Sequence, residues 1–295
     1  MAPIDFGLML RPNEPGHAMS EVMAYNRSCI EALKAGFTTI WLEDHLQVGH
    51  ADNLECFSTI SFLAAQYPAF RFGTLVLDQS YRNPALLAKM AANLQFLTGG
   101  RLIIGLGAGW KEDEYNSYGY PFPATRTRLE QLEEAAIILR SMWTSQPASY
   151  NGKHYRIADA WCEPQPSPML PLLIGGGGEQ RTLAIVARHA NWWNYNSAPV
   201  DEYARKLSIL KRHCEAARRD IAEIRLTYLA TLSVSEDPAR VIHHPQKHYI
   251  AGNAGEVTRE LQQFCALGVT HFMFRIPDLA TLEHFIAAVL PNFGV

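Results

Sequence analysis

The feature that most restricts this chain is a repeated alternation of short apolar runs with stretches of helical periodicity. An apolar run at 4–10 is followed by a helical pattern over 20–35, which stops at Gly36, a residue suited to a helix C-terminal cap. The same unit recurs as 38–42 with 54–66, 70–77 with 84–97, and 101–107 with 127–143. In the fourth helix Thr127 and Glu130 stand at capping-box spacing, and Leu129, Leu132, Ala136, Leu139 and Trp143 mark one apolar face. After an excursion at 150–168, with an Asn151-Gly152 turn signal and several prolines, the alternation resumes. Its last four units are 172–174 with 179–189, 192–196 with 199–219, 224–234 with 256–267, and 271–276 with 279–289.

Eight such units imply parallel strands joined by right-handed crossovers, and in a chain of 295 residues they fit a closed barrel better than an open, doubly wound sheet. The expected fold is therefore α/β, a (β/α)8 TIM barrel with an insertion between the fourth helix and the fifth strand. It takes up residues 1–295 as a single domain. In such a barrel the active site lies at the C-terminal ends of the strands, so residues just after each apolar run are the candidates for chemistry.

Composition excludes other classes. Lys and Arg total 26 against 29 Asp and Glu, a formal net charge of −3 with no basic run, which argues against a nucleic-acid partner. No apolar stretch reaches the roughly 18 residues of a membrane helix, so no membrane association is expected. The first ten residues lack a basic leader and carry Asp5, so they read as a strand, and a cytoplasmic location is expected. Five scattered cysteines form no CxxC pair, which points to reduced thiols and no zinc site. His243, His244 and His248 cluster beside Pro245 without metal-helix spacing and read as a solvated loop; no metal is assigned.

Three strand ends carry chemistry. After the second strand, Glu43-Asp44-His45 brings carboxylates and an imidazole together. His45 there either exchanges protons near neutral pH or simply hydrogen-bonds in a loop. After the fourth, Gly105-Leu106-Gly107-Ala108-Gly109-Trp110 fails the GxGxxG dinucleotide pattern at its sixth position. Its glycines either let a flat ring or phosphate approach the backbone or serve packing. After the fifth, Gly175-Gly176-Gly177-Gly178 leads into a helix, an arrangement suited to cradling an anion on backbone N–H groups. Trp192 and Trp193 read as barrel core with one ring available to the cavity. Arg275 either meets an anionic substrate or pairs with a carboxylate.

In combination, Trp41-Leu42-Glu43-Asp44-His45, Gly105 to Trp110 with Glu114-Tyr115, the Arg128-Leu129-Glu130-Gln131-Leu132-Glu133-Glu134 helix, Tyr150-Asn151-Gly152-Lys153-His154-Tyr155 and Pro171 to Gly178 resemble the bacterial luciferase-like superfamily along nearly the whole chain. The resemblance is greatest to the branch of oxidoreductases that depend on coenzyme F420, a deazaflavin. It implies a hydride-transfer enzyme in which His45 handles a proton and Asp44 binds or orients the cofactor. It implies a bulge with a non-prolyl cis peptide at Leu75-Val76 behind the ring. Ala108, Gly109, Asp113 and Gly176 would contact the cofactor, and Gly177, Gly178 and Gln180 would hold its phosphate. Sugar-phosphate dehydrogenases of this type carry a glutamate directly after the glycines, where this chain has Trp110, and the match to that subgroup fails there. Trp110 and Arg275 are the candidate walls of the pocket for a small-molecule substrate, and a homodimer is implied. Two alternatives stand: a monooxygenase using reduced FMN and molecular oxygen, and a non-catalytic flavin-binding barrel.

Overall fold

The structure is a computed structural model that describes residues 3–34 and 36–294. The strands and helices alternate as β1 (Asp5–Met9), α1 (Met19–Ala32), β2 (Phe37–Leu42), α2 (Cys56–Gln66), β3 (Arg71–Thr74), β4 (Leu77–Asp78), α3 (Pro84–Leu97) and β5 (Leu102–Gly107). They continue with α4 (Glu112–Ser117), α5 (Thr125–Thr144), β6 (Ala148–Asn151), β7 (Arg156–Ala160), β8 (Leu172–Gly175), α6 (Thr182–His189), β9 (Trp192–Asn196) and α7 (Val200–Ala216). The last are β10 (Arg225–Val234), β11 (Ile250–Gly252), α8 (Ala254–Ala266), β12 (Val269–Arg275) and α9 (Leu279–His284), the final helix running on into a π-helical turn at Phe285–Val289.

The parallel order β10-β12-β1-β2-β3-β5-β8-β9 closes on itself through pairing of β9 with β10, making the expected eight-stranded barrel. Between α5 and β8 the chain forms the antiparallel hairpin β6–β7. Its connection is the four residues between Asn151 and Arg156 rather than a two-residue Asn-Gly turn, because Glu134 holds it. That carboxylate accepts the backbone N–H groups of Lys153, His154 and Tyr155 at 2.8–2.9 Å. The expected capping box at Thr127 is not formed. The helix begins two residues earlier, at Thr125, and Glu130 instead pairs with Arg126, Lys153 and His154. The expected end of the first helix at Ala35 lies outside the described residues; the observed helix closes at Ala32.

Two layers of packing follow from strand alternation. Side chains facing outward, such as Phe6, Ile40, Phe72, Ile104 and Trp193, pack under the helices. Those facing inward, Met9, Trp41, Leu75, Ile103, Leu173, Trp192, Leu229 and Met273, fill the barrel. Trp41 lies against Gly7 and Gly73, where an added Cβ would strike its indole, so these glycines give the ring its slot. Trp41 Nε1 donates to His271 Nε2 at 3.1 Å, and His271 Nδ1 faces the Asp5 carboxylate at the foot of the barrel. A nitrogen that accepts from the indole carries no proton, so this buried histidine is neutral. Burial pushes its imidazole down, and, although burial alone would raise Asp5, the hydrogen bond from His271 with the hydrogen bond and charge of Arg225 holds that carboxyl low.

Candidate active site

A cavity of about 700 Å³ opens at the C-terminal end of the barrel. Its wall comes from the ends of β2, β3, β5, β8, β9, β10 and β12. His45 is its central titratable group. Its Nδ1 lies 3.0 Å from Glu114 Oε1, and its Nε2 stands 4.0 Å from Glu43 Oε2, beyond hydrogen-bond reach. Trp110 meets the imidazole edge-on at 6.0 Å between centroids. Glu114 is 1 % exposed, and it also receives the Tyr81 hydroxyl at 2.6 Å and lies 3.4 Å from Lys111 Nζ. Burial, and then the hydrogen bond to this carboxylate, pushes the Tyr81 phenol far up, so Tyr81 is a fixed donor. A carboxylate can only accept, so His45 donates from Nδ1 and presents Nε2 to the cavity.

Asp44 also reaches the wall, but its oxygens are engaged: Arg82 grips them at 2.8 and 2.9 Å, and the Asp78 N–H donates at 3.0 Å. Arg82 continues to Glu55, the N-cap of α2, so Asp44 fixes the ends of β2 and β4 relative to the helix ring. Asp78 accepts the Tyr115 hydroxyl at 2.6 Å, and burial raises its carboxyl above the usual range.

The glycines after the fourth barrel strand have a structural cause. A Cβ on Gly107 would stand 2.7 Å from Val76 Cγ2, one on Gly175 would stand 3.0 Å from Val76 Cγ1, and one on Gly105 would strike the Thr74 carbonyl. The glycines of β5 and β8 thus make the space that the bulge between β3 and β4 occupies. The Leu75–Val76 peptide in it is cis, as the resemblance implies. Gly109 has φ +76°, and a side chain there would strike Tyr115 and Asp78.

The remaining expected residues divide. Leu75, Val76, Ala108, Gly109, Trp110, Gly176 and Arg275 line the cavity. Gly177, Gly178, Gln180 and Asp113 lie outside its lining; Asp113 is exposed, and its carboxylate, held low by a hydrogen bond from Lys111, meets that ammonium at 2.7 Å. The helix after the glycines begins at Thr182, three residues beyond the expected start, and Trp193 Nε1 donates to the Gly176 carbonyl at 2.9 Å from the outer layer. Neither Trp192 nor Trp193 lines the cavity. Arg275 pairs with Glu43. His248 turns to Glu260, and among the described residues no three His, Cys, Asp or Glu side chains group as a metal site. Sequence reasoning missed Tyr81, Arg82, Asn194, Thr231, Lys247 and Tyr249, and it gave Glu114 no role. Glu114 had one usable signal, its place just past a glycine strand end, whereas Lys247 and Tyr249 sit in a loop without periodic pattern.

No helix among the described residues is long and apolar enough to cross a membrane. In sequence, the chain is 26 % identical over 307 residues to a protein named F420-dependent glucose-6-phosphate dehydrogenase from Kineococcus radiotolerans, covering 89 % of this chain and 90 % of that one. Its fold is similar to that of an F420-dependent secondary alcohol dehydrogenase solved with an F420-acetone adduct, at TM-score 0.84 and 18 % identity over 99 % of each chain. It is equally similar to the EDTA monooxygenase of Chelativorans sp. BNC1, at TM-score 0.84 and 13 % identity over 99 % of this chain and 93 % of that one. The profile of the luciferase-like monooxygenases matches residues 4–275, and the chain belongs to that family.

Proposed function

We propose that this protein is a coenzyme F420-dependent oxidoreductase acting on a small organic substrate, with His45 as its proton donor or acceptor. The observation that carries the reading is the His45–Glu114 pair, which aims Nε2 into a cavity large enough for a flavin-sized ring. The likeness in sequence to an F420-dependent dehydrogenase over 89 % of the chain supports the choice of cofactor.

The residues present fit the group. Val76 and Leu75 form an apolar back wall for a flat ring, and Ala108 and Gly109 bound its side. Gly176 lines the cavity with its own N–H taken by the Asn194 carbonyl at 3.0 Å, and beyond it Gly177, Gly178 and Gln180 would offer N–H groups to a phosphate ahead of α6. When bound, the deazaflavin supplies hydride exchange at ring carbon five. His45 holds or delivers the accompanying proton at Nε2, while Glu114 keeps the ring oriented and Tyr81 keeps Glu114 in place. Asp44 sets the β2 end through Arg82 and thereby the position of His45. Trp110 flanks the imidazole edge-on at the cavity mouth.

The reading includes a homodimer, supported by the exposed Phe62, Leu86, Phe96 and Leu97 on α2 and α3, and a cytoplasmic setting, supported by five unpaired cysteines. It is tested by titrating purified protein with F420 and with FMN under fluorescence and calorimetry. Saturable F420 binding is expected. FMN binding without F420 binding would overturn it in favour of the FMN-dependent monooxygenase.

A further inference from the structure

A second cavity, of about 380 Å³, adjoins the first and shares with it the wall made by Glu43, His45, Trp110, Lys111 and Arg275. Its far side is built by the end of β1 and the residues after it (Leu8, Leu10, Pro12), by Val48 and Ile276, and by α1. The charged groups in this wall are already neutralised. Arg275 pairs with Glu43, and Lys111 with Asp113. Arg11 pairs with Glu14 at 2.7 Å, donates to the Pro277 carbonyl and lies 4.0 Å above the Tyr25 ring.

Most neutral polar groups are likewise engaged. Asn26 exchanges two hydrogen bonds with the backbone of Arg11, at 2.8 and 3.0 Å, the Tyr25 hydroxyl donates to the Ile276 carbonyl, and Asn13 donates from Nδ2 to Asn53 Oδ1 at 3.1 Å. A phosphate or polyol placed here would leave oxygens without partners or break an existing ion pair. His45 Nε2 differs: no group of the wall stands within hydrogen-bond reach of it.

We infer that this second cavity is the substrate chamber, and that it takes a compact, largely apolar molecule with a single oxygen function, a hydroxyl or carbonyl, directed at His45 Nε2. The inference rests on the F420 reading and narrows it. In the oxidative direction the carbinol C–H bond breaks, with its electron pair and hydrogen leaving as hydride for the deazaflavin. The hydroxyl proton passes to His45 Nε2 and the C=O bond forms, so substrate is oxidised and cofactor reduced by two electrons. Reduction of a carbonyl runs the same steps backwards. Sugar phosphates are excluded by the same wall.

The test uses ligand-detected NMR on the full chain, with cyclohexanone as the apolar probe and glucose 6-phosphate and inorganic phosphate as polar competitors, each with and without F420. Val48 lines only this second cavity, so Val48→Phe fills it without touching the first. Cyclohexanone is expected to bind wild type, to lose at least about tenfold in affinity in Val48→Phe, equivalent to about 1.4 kcal/mol, and to resist both competitors. Cys29→Leu, on α1 in the chamber wall, is a second variant expected to weaken the probe in the same way. Displacement by glucose 6-phosphate, or unchanged probe affinity in both variants, would overturn the inference. F420 titration of the same samples separates the two levels: F420 binding with failure of the probe overturns the chamber alone, and absence of F420 binding overturns the cofactor reading.

Discussion

His45 Nδ1 and Glu114 Oε1 stand 3.0 Å apart although 69 residues separate them, and the carboxylate is buried while the imidazole is open to the cavity. This pairing fixes one tautomer and leaves one nitrogen free for substrate. Replacing His45 with Ala is expected to lower turnover by roughly 10²–10⁴-fold, the usual contribution of a positioned acid or base, with cofactor affinity little changed. Added imidazole is expected to restore part of the rate. Steady-state kinetics with and without imidazole checks both.

In the proposed reading Glu114 acts through His45. Glu114→Gln is expected to reduce kcat more than it raises KM, because the amide no longer holds Nδ1–H as an anionic acceptor but leaves the cavity's shape intact. Equal losses in Glu114→Gln and Tyr81→Phe would show that orientation, not charge, governs the step.

The Val76 bulge and Gly107 are a lock and its recess. Gly107→Ala places a methyl 2.7 Å from Val76 Cγ2 and is expected to destabilise the protein by about 1–3 kcal/mol through overpacking. Chemical denaturation measures the loss, and the double variant with Val76→Ala is expected to recover part of it.

The neutral His271 makes stability depend on pH. Its folded pKa is pushed below the ordinary 6.5 by burial, so its contribution is complete above 6.5 and is lost as pH falls through the lowered value. Urea midpoints are expected to fall as pH drops below about 6.5, and His271→Gln is expected to flatten that decline. Asp5, also held low, gives way in a separate and more acidic window, below 3.8.

The hairpin between α5 and β8 hangs on Glu134. Glu134→Ala is expected to cost roughly 1.5–3 kcal/mol, the scale of hydrogen bonds to a charged group, and to expose the amides of Lys153, His154 and Tyr155 to hydrogen exchange.

The barrel was legible because its strands and helices repeat at periods of two and 3.6, and each strand end then marked a place to look. The glycines at 105, 107 and 175 were legible as a cluster but not in their cause, since the Thr74 carbonyl and the Val76 side chain that fill their space lie about thirty residues or more away from them in sequence. Asp44 and His45 were visible as a pair. That Arg82 engages one and Glu114 the other depends on strand register and on the short helix α4, which carries no amphipathic signal long enough to read. The capping box at Thr127 failed because Glu130 had better partners in the hairpin, which local spacing cannot reveal.

The most direct measurement of the central claim is a crystal structure of the protein soaked with F420. The account predicts the deazaflavin ring against Val76 with its reactive face toward His45 Nε2, and its phosphate at the Gly176-Gly177-Gly178 turn. A cofactor bound away from the barrel mouth, or with His45 turned from its ring, would contradict it.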